Sequence, residues 1–203
     1  MKKVIIILSA LVLSATAANA QGWLDSFLKV ATETVGNVVT GSNVVSSAFD
    51  IQGTWKYQGV AIGATSDNVL TTLAASASTS TIEKQCDQLL AKAGIKAGIA
   101  KLTFNEDGSF LLSAGKITLP GTWTKSGTSL TINFAKIFTL KLNGTIKATT
   151  EGCNILFPAD KFLSFVQKVL EAVNKVANNS TLSTLQSTLA NVKGLQLGFK
   201  LAK

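Results

Sequence analysis

The side chains that could carry out chemistry are few in this sequence, and their types exclude most catalytic arrangements. There is no histidine, and all 19 basic residues are lysines. Without an imidazole, neither a Ser-His-Asp or Cys-His nucleophile nor a histidine metal ligand can form. The 11 acidic residues are dispersed, so two carboxylates could act together only if the fold brought them into contact. We therefore expect a non-enzymatic protein that uses no metal and no other cofactor.

The two cysteines, Cys86 and Cys153, allow two interpretations. In an exported protein an even number of cysteines permits one disulfide. Cys86 belongs to the apolar side of a predicted helix and Cys153 precedes a short predicted strand, so a disulfide would tie a helix to a barrel wall. Two buried free thiols are the alternative, because cysteine packs as a small hydrophobic residue.

The positive charge of the chain has a simple interpretation. The formal net charge is +8, and an excess of positive charge can indicate binding to nucleic acid or to an anionic membrane. The lysines are scattered singly, however, and without arginine there is no bidentate contact to a phosphate or a guanine. The charge therefore predicts a solvated surface and no nucleic-acid partner.

The N-terminus has the pattern of a secretory signal peptide over residues 1–20. Lys2 and Lys3 precede an apolar run at 4–12, and the small residues of Ala18-Asn19-Ala20 suit signal peptidase. A membrane anchor is the alternative, but the run is shorter than the roughly 20 residues that span a bilayer. We expect an exported protein, periplasmic or extracellular, that begins at Gln21 and has no transmembrane segment after cleavage.

Residues 21–50 form a predicted N-terminal helix and linker, and residues 51–203 form the main domain. Apolar residues at helical spacing over 22–40 indicate an amphipathic helix. That helix would either cover the main domain or dock on a membrane surface or a partner.

The main domain has the pattern of a barrel with added helices. A first strand at 54–62 alternates apolar and polar residues, and a helical insertion follows at 66–93. Alternating strands then fill 100–157, with Asn143-Gly144 as the strongest hairpin signal. Helices at 160–177 and 181–192 precede a last strand at 195–201, which would pair with the first and close the sheet. The prediction is an α+β fold, mainly β: an antiparallel barrel of about eight strands.

An ordered set of short motifs resembles a known family. Gly53-Thr54-Trp55 recurs as Gly121-Thr122-Trp123, with F-x-x-D-G-x-F at 104–110 between them and L-x-I-x-F at 130–134 after them. This succession is similar to lipocalin-like families of exported proteins from Bacteroidota-type bacteria. It is closest to a family of unknown function in which helices interrupt and follow the barrel strands. The resemblance implies a lipocalin-like barrel with Trp55 across its closed end, where lipocalins often place an arginine over the ring.

The candidate site is the interior of this barrel. An eight-stranded barrel either fills with side chains or holds one small ligand, and the predicted inward residues are mostly large. If a cavity exists, it is apolar and suits a lipid or another apolar small molecule. If the core is filled, the protein is a structural or protein-interaction module of the cell envelope, with an unknown protein partner. The aromatic residues that would contact a ligand, or otherwise only pack the core, are Trp55, Tyr57, Phe104, Phe110 and Trp123.

Overall fold

A computed structural model describes residues 48–66, 79–135, 140–173, 180–190 and 192–203. All of them belong to one compact unit, Ser46–Lys203. The predicted signal peptide, the predicted helix at 22–40 and the first part of the predicted helical insertion lie outside the described residues.

Eight antiparallel strands close into a barrel in which each strand pairs with its neighbours in sequence and the last pairs with the first. This confirms the predicted fold class, a lipocalin-like α+β barrel. Three described helices accompany it, one after the first strand and two before the last. The elements are β1 Gly53–Ala64, α1 Thr79–Lys92, β2 Lys101–Phe104, β3 Ser109–Ala114, β4 Ile117–Ser126, β5 Ser129–Phe134, β6 Leu140–Ala148, β7 Gly152–Pro158, α2 Ala159–Ala172, α3 Ser180–Leu189 and β8 Leu195–Ala202.

The alternating sequence forms strands because a pleated strand sends successive side chains to opposite faces. In β5, Leu130, Ile132 and Phe134 are buried while the residues between them are half-buried. In β8, odd-numbered residues from Leu195 to Leu201 are buried on the inner face. Closure of β8 on β1 leaves neither strand with the open edge that it would have in an open sheet.

The hairpin predicted at Asn143-Gly144 is wrong. Both residues lie inside β6, where Gly144 pairs with Leu130 and Asn143 with Thr131. A Cβ at Gly144 would lie 2.6 Å from both the Leu156 carbonyl oxygen and the Phe157 ring. The glycine is therefore needed for close packing rather than for a turn. The side chain of Asn143 accepts a hydrogen bond from Thr131 Oγ1 at 3.0 Å, across the two strands.

Trp55 lies near the start of β1, at the end of the barrel that is hereafter called the closed end. Its Nε1 donates a hydrogen bond to the Ile51 carbonyl oxygen at 2.7 Å, and its ring lies 5.6 Å from the ring of Phe49. The Nζ of Lys203 lies 4.9 Å from the centre of the indole ring. A lysine from the end of the chain thus supplies the cation over the ring in a sequence that has no arginine.

The opposite end, where β1 finishes, β8 begins and α2 starts, carries the helices and is hereafter the helical end. There the wall beside β1 is incomplete, because β2 pairs with β1 only over Gly53–Lys56. Among the described residues no strand pairs with this edge of β1 beyond Tyr57. Helix α1 packs against the uncovered stretch and turns Cys86, Leu89 and Leu90 towards the core.

Asp87 joins α1 to the uncovered edge of β1. Its Oδ1 accepts two hydrogen bonds, one from the backbone N–H of Val60 at 3.0 Å and one from the hydroxyl of Tyr57 at 2.5 Å. The strand bulges between these two donors, and Gly59 has a φ of +146° that favours glycine. The carboxylate therefore satisfies a strand donor that a neighbouring strand would otherwise pair.

Replacing Asp87 with alanine is expected to lower the free energy of unfolding by about 1–3 kcal/mol. Both donors, the Tyr57 hydroxyl and the Val60 N–H, would lose their acceptor in a partly buried place. Denaturant unfolding measures this loss. The matched control is Asp160→Ala, which removes an exposed carboxylate and is expected to change stability by less than about 0.5 kcal/mol. Equal stabilities of Asp87→Ala and the parent protein would contradict this role of Asp87.

Candidate functional site

The barrel interior holds four of the five aromatic residues predicted to contact a ligand. Trp55, Tyr57, Phe104 and Phe110 are each at most 3% exposed. Trp123 is half-buried, and its Nε1 donates a hydrogen bond to the Asn105 carbonyl oxygen at 2.9 Å. The structure thus gives these side chains protein partners, and their predicted contact with a ligand stays a prediction.

A network of aromatic rings runs through the interior from β4 to β8. The ring of Phe104 lies 5.6 Å from Trp123 and 5.1 Å from Phe110, measured between centroids. Phe110 lies 5.6 Å from Phe134. The four rings lie on four different strands, β2 to β5, and form one continuous aromatic cluster on the barrel wall.

Phe165 of α2 completes the network across the barrel. Its ring stacks on Phe134 of β5 with centroids 5.2 Å apart, and it meets Phe199 of β8 edge-on at 5.7 Å. Strands β5 and β8 are not neighbours in the barrel. Because one fully buried ring contacts both, α2 places a side chain between opposite parts of the wall. Phe162, one turn earlier, also packs on Phe199, at 5.3 Å.

The hydroxyl of Tyr57 donates a hydrogen bond to Asp87. Burial raises the pKa of Tyr57 above its usual value of 10.0, and the hydrogen bond to Asp87 raises it further. The phenol is therefore neutral and donates its proton to a protein carboxylate. Sequence reasoning missed Asp87, although its position directly after Cys86 placed it at the border of the apolar face of α1.

Both cysteines are free and buried. The structure therefore has the two buried thiols of the second interpretation, and no disulfide joins Cys86 to Cys153. Cys86 belongs to the apolar face of α1. Cys153 lies in β7, where it pairs with Ala148 and Leu201. Burial raises the pKa of each thiol to about 12; for Cys86 the carboxylates of Asp87 and Glu83 add to the effect. Each sulfur fills space as a small apolar group.

A cleft of about 510 Å³ lies at the helical end, between the start of α2, the end of α3 and the start of β8. This volume falls within the range of small-molecule sites in proteins. Leu163, Leu189 and Leu195 line the cleft and are each at most 5% exposed. At the same end, the backbone N–H of Thr65 donates to the Gly194 carbonyl oxygen at 2.9 Å and holds the end of β1 against the start of β8.

The rim of the cleft is polar. The hydroxyl of Ser164 donates to the Asp160 carbonyl oxygen at 2.8 Å, and Gln186 Nε2 donates to Gln167 Oε1 at 3.1 Å. Lys193 and Gln196 also line the cleft. No sequence pattern predicted this site, because its residues come from elements that meet only in the folded chain.

The described residues hold no group of three or more cysteine, aspartate or glutamate side chains that could bind a metal ion. Within the same part of the chain, no helix has the length and apolar character needed to cross a membrane.

One family model matches the chain, that of the Lipocalin-like domain (DUF4923), over residues 24–203. The match covers the whole barrel and the helices attached to it. No curated protein and no solved structure matches the chain.

We expect the native protein to react very slowly with the thiol reagent DTNB at pH 8, and to release two thiols per chain once it is unfolded without a reductant. With a pKa of about 12, each thiol is almost entirely protonated at this pH, and the thiolate is the reactive form. Cys86→Ala serves as the control and should release one thiol. An unfolded parent chain that releases no thiols would show that the disulfide forms.

The same shifts predict that stability falls in alkali. Between pH about 9 and pH about 12, the unfolded chain loses thiol protons that the folded chain keeps, so the free energy of unfolding declines by up to about 1.4 kcal/mol per pH unit for each thiol. Below pH about 8 this contribution is constant. Denaturant unfolding at several pH values measures the slope. A double variant, Cys86→Ala with Cys153→Ala, should have a shallower slope, and an unchanged slope would contradict the assignment.

Proposed function

Because the chain belongs to the lipocalin-like domain family, we propose that it is an exported, non-enzymatic binding protein that holds an apolar small molecule. In this proposal the ligand binds on the surface of the helical end, and the barrel interior is a filled scaffold. The observation that carries the proposal is the open cleft of about 510 Å³ between α2, α3 and β8. The ring of Phe165, which contacts both Phe134 and Phe199, argues for a site outside the barrel.

The filled interior argues against a ligand inside the barrel. Rings at centroid distances of 5–6 Å are in van der Waals contact, and aromatic pairs at such distances stabilise each other beyond the area they bury. A ligand in the interior would have to displace Phe165 and expose Phe134 and Phe199. By contrast, the cleft at the helical end is open without any movement of the described residues.

Two parts of the proposal, export and a non-enzymatic role, are supported by the sequence. The charged, apolar and small-residue segments at 1–20 support secretion, and so does the resemblance to exported proteins of Bacteroidota-type bacteria. The lack of histidine and the dispersed acids support a role in binding rather than catalysis.

A structural or protein-interaction module is the second candidate, and the filled interior favours it as well. Such a module would need a surface for its partner. Within the described part of the chain, Ile99 is the only large apolar side chain that is mostly exposed, at 57%. Single exposed apolar residues are ordinary on soluble proteins, so we place this candidate second.

We expect Phe165→Leu to lower the free energy of unfolding by about 1–3 kcal/mol, because it removes ring contacts inside the barrel. The same variant should bind the apolar dye N-phenyl-1-naphthylamine within about twofold of the parent affinity, since the dye would bind outside the barrel. Dye fluorescence and denaturant unfolding measure the two quantities. Ala172→Leu, at the exposed end of the same helix, is the matched control.

A change in dye affinity of about tenfold or more in Phe165→Leu, with none in Ala172→Leu, would show that the ligand enters the barrel and would overturn the proposal. Native mass spectrometry of protein from its producing cells, before and after organic extraction, gives a second test. A bound mass that extraction removes is the expected result. A bare polypeptide mass together with no saturable dye binding would favour the interaction module instead.

A further inference from the structure

We propose that a basic surface around the exposed turn at 96–99 docks the protein on an anionic lipid membrane. The basic surface consists of one apolar side chain and five exposed lysines: Ile99, Lys56, Lys92, Lys96, Lys101 and Lys116. It shares no residue with the cleft at the helical end, so the inference goes beyond the proposed function and does not depend on it. Three observations lead to it: a fixed turn, lysines gathered without acids, and an apolar side chain among them.

The turn at 96–99 is held out from the core by its two ends. Ile95 and Ala100 are completely buried, whereas all four residues between them are exposed. The backbone N–H of Ala100 donates to the Lys96 carbonyl oxygen at 2.9 Å and closes the turn. The backbone N–H of Tyr57 donates to the Ala100 carbonyl oxygen at 2.9 Å and ties the turn to β1. A turn that is already fixed loses little conformational entropy when it binds.

Two of the lysines face each other across neighbouring strands. Lys101 of β2 pairs with Lys56 of β1, and both are exposed on the outer face of the barrel. Like charges at directly opposite positions destabilise a strand pair. Within the described residues, neither lysine has an ion pair that would offset this repulsion. An anionic partner would offset it, so the pair indicates that this face binds negative charge.

The other lysines reach the turn from different elements. Lys92 lies in the last turn of α1, and Lys96 lies in the exposed turn itself. Lys116 lies between β3 and β4, in a hairpin that approaches the end of α1. A Cβ at Gly94 would lie 3.5 Å from Cδ1 of Ile117, which places the two turns side by side. The fold therefore gathers lysines that are scattered in the sequence.

Acidic side chains are rare around the basic surface. Residues 88–105 contain three lysines and no acid, and residues 108–150 contain five lysines and no acid. Asp87 of α1 already accepts hydrogen bonds from Tyr57 and Val60. The protein thus leaves the positive charge of this surface largely uncompensated, and the charge attracts an anionic partner.

Ile99 favours a lipid surface over a soluble polyanion. Its side chain is 57% exposed and lies between Lys96 and Lys101 in the sequence. One exposed apolar residue is ordinary by itself. With lysines on both sides, however, it can enter the acyl boundary of a membrane while their long side chains keep the amines among the head groups. A soluble polyanion would bind the lysines and leave Ile99 in water.

The chemistry of lysine sets the kind of selectivity that we expect. Each amine acts as a point charge, and the chain has no arginine that could bind a phosphate through two parallel hydrogen bonds. The basic surface should therefore respond to the density of negative charge on the membrane rather than to one kind of head group.

Flotation with lipid vesicles measures this binding, with the full chain that lacks only the predicted signal peptide. The vesicles contain phosphatidylcholine alone, or phosphatidylcholine with phosphatidylglycerol or cardiolipin at equal total charge. We expect the protein to float with both anionic vesicles and not with the neutral ones. Most of the binding should disappear at about 1 M NaCl, where charges are screened within about 3 Å.

Two variants test the lysines and the apolar side chain separately. Lys56→Gln with Lys101→Gln is expected to weaken binding to anionic vesicles at least about tenfold. The matched control, Lys141→Gln with Lys161→Gln, removes the same net charge from exposed residues of β6 and α2 and should weaken binding less than about twofold. Ile99→Ser keeps every charge and is expected to weaken binding at least about fivefold. All five residues are exposed, so the variants should fold.

A fluorescent label tests whether position 99 enters the lipid. Ile99→Cys supplies an exposed thiol for a bimane label, because Cys86 and Cys153 are buried. The emission of the label is expected to shift to the blue on anionic vesicles. The same label on Thr188→Cys, at an exposed residue of α3 outside the basic surface, should keep the emission that it has in water.

The outcomes separate a membrane from other partners. Binding that is restricted to anionic vesicles, needs the Lys56–Lys101 pair and Ile99, and shifts the label at position 99 supports the inference. Equal losses in the two lysine pairs would mean that only net charge matters, and binding that no variant changes would come from another part of the chain; either result overturns the inference.

The absence of vesicle binding overturns it as well. Binding to soluble polyphosphate that Ile99→Ser leaves unchanged would then assign the lysines to a polyanion. None of these results changes the dye and mass-spectrometry tests of the proposed function, which succeeds or fails separately.

Discussion

An eight-stranded barrel encloses a space that must be filled either by its own side chains or by a ligand, and here a helix supplies the filling. The ring of Phe165 touches β5 on one side and β8 on the other. For that contact α2 must lie over the helical end, where it follows β7 directly at Pro158. Helix α3 then packs beside α2, and β8 starts next to both. The cleft is the space that these three elements leave between them.

Two polar contacts complete the barrel at places where strand pairing alone does not. At the closed end, the Lys203 amine covers the Trp55 ring. Beside the bulge in β1, Asp87 accepts hydrogen bonds from Tyr57 and Val60 and fixes α1 where β2 is too short to reach. Both contacts lie outside the cleft. The barrel can therefore be stable and closed while the surface that we assign to binding stays accessible.

The sequence predicted most of the fold because strand alternation and the helix stripes are local patterns. The strands, the order of the elements and the closure of β8 on β1 followed from them. The hairpin predicted at Asn143-Gly144 was wrong because this dipeptide, which favours a turn, also suits close packing inside a strand. The site was harder to predict. That Phe165 would enter the barrel, and that Lys203 would cover Trp55, depends on distances between elements far apart in the chain, which no local pattern encodes.

Helix α2 places the ring of Phe165 in the space that a ligand inside the barrel would occupy. Nuclear Overhauser effects from the ring protons of Phe165, in protein labelled at its aromatic residues, test it most directly. We expect contacts to the rings of both Phe134 and Phe199, because their centroids lie within 6 Å of that of Phe165. Contacts from Phe165 to other helical residues alone, with the rings of Phe134 and Phe199 close to water or to a bound apolar molecule, would contradict it.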